Sequence, residues 1–192
     1  MFEIFKRSRK TSFQFSKDLT SPHETIWAEH LKEFKGKPGL KYLEIGVFEG
    51  RTLISMFQNI LSHPSSRATA IDLFYDKTEN IFFSNLKLSG FSKRLKFIEG
   101  SSQKKLRELP SNYFDILYVD GSHKAHDILS DAVQGWEVVK VGGIMIFDDY
   151  ELIPEHQKTT PKEAIDQFVR FFGEKLEVLH VGWQYIVRKK AE

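Results

Sequence analysis

Cysteine is absent from the 192 residues. That absence removes thiolate nucleophiles, disulfides and zinc–thiolate centres together, and it suits a reducing compartment. No run of about 18 apolar residues occurs, so no membrane span is expected. Net charge is also scarce, at +2, which argues against a protein that tracks nucleic-acid phosphates. The basic run Lys6-Arg7-Ser8-Arg9-Lys10 leads into no apolar stretch, so no secretory leader is expected and a cytoplasmic location is. Internal repeats and low-complexity segments are missing as well. What is present is enough for one domain with a sizeable core, since 41% of the residues are hydrophobic.

One further absence is local. Tyr42-Leu-Glu-Ile-Gly-Val-Phe-Glu-Gly-Arg-Thr52 reads as an apolar strand, a turn bearing Gly46 and Gly50, and the start of an amphipathic helix. A dinucleotide fingerprint needs a glycine where this chain has Phe48, so a pyrophosphate site and a dinucleotide oxidoreductase are disfavoured. The two glycines let backbone approach a ligand, the helix start offers free N–H groups, and Glu44 can accept from a cation or a hydroxyl. An adenosyl ligand without a pyrophosphate fits what remains.

Beyond Leu40 the pattern alternates. Strands are expected at 41–45, 69–73, 95–98, 114–119 and 143–148, with helices at about 50–61, 77–89, 101–109 and 125–139 between them. A helix at 161–172 then precedes two β-rich runs, 176–180 and 183–188, joined at Gly182. The fold class is therefore α/β: a Rossmann-like, doubly wound, mostly parallel seven-stranded sheet with a C-terminal antiparallel hairpin. Residues 1–38 form an N-terminal basic and aromatic arm with a helix at 22–35, expected as a lid or an oligomer contact. Residues 39–192 form the main domain.

Ligands of such sheets bind at the carboxyl ends of the strands. There the sequence places Glu44, then Asp72, suited to vicinal ribose hydroxyls, then Ser101 and Ser102, which could cap a helix or touch an adenine edge. The fourth strand ends in Asp120-Gly-Ser-His123 and the fifth in Asp148-Asp149. Three carboxylates so close raise one another's pKa unless a cation joins them, and a hard divalent ion, Mg²⁺ first, suits the set. His123 would hang over the same spot as a general base. The single-residue alternatives are strand-end caps and a solvated loop histidine. His126 reads as structural, and His23, His30, His63, His156 and His180 as surface or packing residues.

Together, Glu44-x-Gly46-x-x-x-Gly50, Asp72, Asp120-x-x-His123, Gly142-Gly143 and Asp148-Asp149 resemble the class I S-adenosylmethionine-dependent methyltransferases. They are most similar to the metal-dependent O-methyltransferases of the catechol, caffeoyl-CoA and macrolide-sugar types, over about residues 40–188. The resemblance implies S-adenosylmethionine contacts at Glu44, Gly46, Gly50, Asp72, Ser101, Ser102 and Asp120. It implies metal ligands at Asp120, Asp148 and Asp149. Where the catechol type has Asn and a lysine base, this chain has Asp149 and His123, as the sugar type does. The implied reaction is methylation of a hydroxyl on a small molecule or sugar, assisted by Mg²⁺. A metal-independent methyltransferase and a non-catalytic adenosyl-binding module remain as alternatives. No nucleic-acid partner is expected, and a homo-oligomer in which a neighbouring copy completes the site is left open.

Overall fold

The computed structural model describes residues 12–74, 78–156 and 158–192. Its seven strands are β1 (Lys41–Ile45), β2 (Arg67–Asp72), β3 (Leu95–Glu99), β4 (Phe114–Val119), β5 (Val139–Phe147), β6 (Leu176–Val181) and β7 (Tyr185–Lys189). They form one sheet in the order β3-β2-β1-β4-β5-β7-β6. β1 to β5 pair in parallel, and β7 runs antiparallel between β5 and β6. The strand order reverses between β1 and β4, which opens a crevice above their carboxyl ends.

Among the described residues six α-helices accompany the sheet: α1 (Glu24–His30), α2 (Arg51–Asn59), α3 (Glu79–Ser89), α4 (Ser102–Lys105), α5 (Ala125–Val138) and α6 (Pro161–Phe172). Side chains alternate across each strand and so feed two cores. Leu43, Ile45, Leu117, Val119, Met145 and Phe147 pack with Ile128 and Trp136 of α5 and Phe168 of α6. Tyr42, Ala70, Ile116, Tyr118, Ile144 and Ile146 pack with Trp27 of α1, Leu53 and Phe57 of α2, and Phe82 of α3. The doubly wound, mostly parallel sheet with its terminal hairpin is thus the observed architecture.

Local chemistry sets several boundaries. α6 starts in a capping box: Thr160 accepts from the Glu163 amide, Glu163 reaches back to the Thr160 amide, and Pro161 fills the first helical position. The helix expected over 101–109 is instead α4 followed by a 3₁₀ turn, Leu106–Glu108. Pro110 explains the break, because the residue before a proline avoids helical backbone, and Leu109 is extended. The segment expected as one helix over 22–35 begins with a 3₁₀ turn, Ser21–His23, before α1.

The basic run at Lys6–Lys10 and Phe2 and Phe5 lie outside the described residues. The described part of the arm, from residue 12, is tied to α3 and to the turn after β1. Gln14 and Asn85 exchange two hydrogen bonds of 2.8 Å, and the Ser16 amide donates to Glu49 Oε2 at 2.6 Å. Arg51 pairs with Asp18 at 2.8 Å and stacks over Phe15. α1 itself is a layer of the core, with Trp27 and the following Leu31 fully buried.

Candidate active site

The turn after β1 is built by packing. A Cβ on Gly46 would lie 2.0 Å from the Asp120 carbonyl oxygen, and one on Gly50 would lie 2.9 Å from Phe82. Both residues have positive φ, 81° and 83°. The close approach that demands glycine is therefore to the protein's own β4 end and to α3. Asp72 pins the turn: its Oδ2 accepts from the Val47 and Phe48 amides at 2.7 and 3.3 Å, and its Oδ1 accepts from Phe74 at 2.7 Å. Phe48 and Phe74 flank it with φ of 47° and 49°. Large side chains rarely hold that conformation, and such strain collects at ligand sites. The Phe48 ring is partly exposed at the mouth of the crevice.

Glu44, Asp72, Asp120, Asp148 and Asp149 share the carboxyl edge. Glu44 is buried, accepts a 2.6 Å hydrogen bond from the Tyr42 hydroxyl, and is pushed up to about 8 by burial, with Asp72 and Asp148 adding to the rise. Burial, then Asp148, Asp149, Glu44 and Asp72, raises Asp120 well above the usual carboxylate range. Asp148 is raised by burial and by Asp149, while a hydrogen bond from Tyr118 and the neighbouring His23 oppose the rise. Asp149 occupies left-handed backbone, φ 57°, and its Oδ2 lies 2.9 Å from His123 Nε2. That hydrogen bond raises the pKa of His123, ahead of the opposing effect of its partial burial.

Donor atoms of Asp120, His123 and Asp149 all lie within 4.8 Å of one another. Asp148, the next residue, is turned elsewhere. Its Oδ2 accepts from the Tyr118 hydroxyl at 2.7 Å, and its Oδ1 accepts from Gln184 at 3.3 Å and from the Asp149 amide at 3.0 Å. Gln184 also donates to the Tyr118 hydroxyl at 2.7 Å and accepts from Trp27 Nε1 at 2.8 Å. A relay thus runs from Trp27 of α1 through Gln184, just before β7, and Tyr118 of β4, all three buried, to the half-buried acid that follows β5.

Over residues 43–150 the sequence matches the family described as a methyltransferase domain. The chain belongs to that methyltransferase family. An uncharacterized protein of Acanthamoeba polyphaga mimivirus is 31% identical over 130 residues, 64% of this chain, and the chain spans 57% of that relative's length. Two solved structures share the fold. The O-methyltransferase TomG from Streptomyces achromogenes, in complex with SAM, superimposes with a TM-score of 0.72 at 16% identity, over 91% of this chain and 82% of that one. The O-methyltransferase from Bacillus cereus, in complex with SAH, gives 0.68 at 15% identity, over 91% and 84%.

In this methyltransferase domain Ser101 and Ser102 make local hydrogen bonds. Ser101 precedes α4 and hydrogen-bonds Gln103. Ser102 hydrogen-bonds Asp131, which burial pushes up to about 7. Asp127 gathers Gln103 at 3.2 Å, Ser122 at 2.8 Å and the exposed His126 at 3.3 Å. Tyr150 is buried and donates to Asp166 at 2.8 Å, while Trp183 and Ile153 are exposed near the end of β5. Sequence reasoning missed Tyr42, Tyr118, Trp27, Gln184 and His23. Tyr42 and Tyr118 were findable, because each stands two residues before a strand-end acid and so shares its face. Gln184 and His23 carry no such signal.

The carboxylates of Asp120 and Asp149 could hold a hard divalent ion, and Asp120 carries a penalty that a cation would relieve. A cationic cofactor would relieve Glu44 in the same way.

Proposed function

We propose that the chain is an S-adenosylmethionine-dependent O-methyltransferase acting on a hydroxyl of a small molecule or sugar, with metal assistance and His123 as general base. The observation that carries this reading is the convergence of Asp120, His123 and Asp149 beside a strained glycine turn, on an edge rich in carboxyls. The SAM- and SAH-bound O-methyltransferases of like fold support it.

S-adenosylmethionine brings a methyl group already activated on a sulfonium, so the protein's task is positioning and proton removal. A divalent ion held by Asp120 and Asp149, with Asp148 adjacent, would lower the pKa of a bound hydroxyl and orient a diol. His123 Nε2 faces Asp149, which leaves Nδ1 to take the acceptor's proton. Asp149 then stabilises the imidazolium. Glu44, the Gly46–Gly50 turn and Asp72 bind the cofactor's amino-acid and ribose portions, and Ser101 and Ser102 line the adenine side. Trp183 and Ile153 supply apolar rim for the acceptor.

The 2.9 Å His123–Asp149 pair also favours a second reading, in which this dyad works without a metal. Calorimetric titration with S-adenosylhomocysteine, with and without Mg²⁺, tests the cofactor assignment. Absence of binding in both conditions would end the proposal. Methyl transfer that survives chelation would retire the metal and keep the dyad. Replacing His123 by Ala should lower turnover about 10²- to 10⁴-fold and leave cofactor affinity nearly unchanged. Lost cofactor binding would remove His123 from the role of base.

A further inference from the structure

A second charged site lies at the opposite edge of the sheet. A cavity of about 300 Å³ opens between the amino ends of β1 to β4, lined by Lys41, Arg67, Lys93, Arg94, Lys96 and Tyr113, among others. Strands of five and six residues separate it from the acid cluster by roughly 16–20 Å. No acidic residue lines it among the described residues. The nearest acid in sequence, Asp115, is already occupied: its Oδ2 accepts the Lys41 amide at 2.7 Å and its Oδ1 pairs with Lys140 at 2.6 Å.

The two arginines are fixed by neutral groups. Arg94 donates to the carbonyls of Leu61, His63 and Ser66 and lies 4.7 Å over the Phe57 ring. Arg67 donates to the carbonyls of Pro64 and Ser66. Neither has a carboxylate partner among the described residues, and their mutual repulsion adds to burial in lowering the pKa of Arg94. The fold therefore holds two guanidiniums close together without a counterion, ringed by the exposed Lys93 and Lys96. An anion is what offsets that cost.

We propose that this cavity binds a diphosphate group, either free pyrophosphate or that of a nucleoside diphosphate. Arginines fixed in place by backbone carbonyls, with exposed lysines around them, suit clustered phosphate oxygens. The volume is at the small end for ligand sites, enough for a diphosphate and a stacked ring. Tyr113, partly exposed at the rim with Lys41 Nζ 5.7 Å from its ring centre, offers the stacking face. The cations fill one concavity and form no stripe, which favours a small ligand over a nucleic-acid strand.

The test is calorimetry on the full chain with pyrophosphate and, separately, ADP. Binding is expected for both, and Lys93→Ala with Lys96→Ala should weaken it by about tenfold or more, with S-adenosylhomocysteine binding and thermal midpoint unchanged. Lys104→Ala, outside the cavity, should have no effect. Tighter binding of ADP, lost in Tyr113→Ala, identifies the nucleoside diphosphate; equal affinities identify the diphosphate alone. No heat with millimolar pyrophosphate, or equal weakening by Lys104→Ala, overturns the site. Because cofactor binding is read separately, failure here leaves the methyltransferase reading untouched.

Discussion

Glu44→Gln should gain stability relative to the parent protein as pH rises. The Glu44 carboxyl is 1% exposed and raised from 4.5 to about 8, chiefly by burial. Below pH 4.5 the group is protonated in both the folded and the unfolded chain, so it contributes no pH dependence. Between 4.5 and 8 the folded chain keeps a proton that the unfolded chain releases, so stability falls as pH rises. At about 1.4 kcal/mol per pH unit, the loss reaches about 3 kcal/mol at pH 7 and at most about 5 kcal/mol above pH 8. Glutamine keeps the acceptor for the Tyr42 hydroxyl and cannot ionise. Its amide N–H₂ adds a cost that does not vary with pH, so the slope is the quantity to read. Urea unfolding of both proteins at pH 5, 7 and 8.5 gives it directly. The difference should widen in favour of the variant by roughly 3 to 5 kcal/mol across that range. A constant difference, or a variant that loses ground as pH rises, would refute the claim that Glu44 is held protonated by burial.

Gln184→Leu removes the acceptor of Trp27 Nε1 and a donor to Tyr118 and Asp148, so unfolding free energy should drop by about 2–4 kcal/mol; an unchanged urea midpoint would show that the relay carries no stability. Gly46→Ala puts a methyl 2.0 Å from the Asp120 carbonyl at a φ of 81°, and a loss of about 4 kcal/mol or more is expected. Gly39→Ala is the contrast, with similar φ but no atom within 4 Å, and should cost only about 1–2 kcal/mol. Comparable thermal midpoints for the two alanine variants would contradict the steric account.

Much of the architecture was legible because it is local. Apolar runs of strand length alternating with amphipathic helices dictate a parallel sheet, and each of Glu44, Asp72, Asp120 and Asp148 follows such a run, so their place at the carboxyl edge needed no coordinates. Asp148 and Asp149 were equivalent on that basis. The structure separates them: the left-handed backbone of Asp149 turns its carboxylate to His123, whereas Asp148 faces Tyr118 and Gln184. Gly46 and Gly50 were legible as a turn, yet the atoms that require them belong to β4 and α3 and are remote in sequence.

The sequence by itself determined the sheet, its winding and which acids and bases lie at strand ends, because side-chain periodicity and turn chemistry act over a few residues. Tertiary structure alone decided which of them meet. Parallel register aligns the strand starts, with Lys41 beside Arg67 and Ala68 beside Leu95, and so gathers cations at one edge and carboxyls at the other, a separation that a net charge of +2 conceals. Burial then sets their ionisation, and burial is a property of the whole packed chain, not of any segment of it.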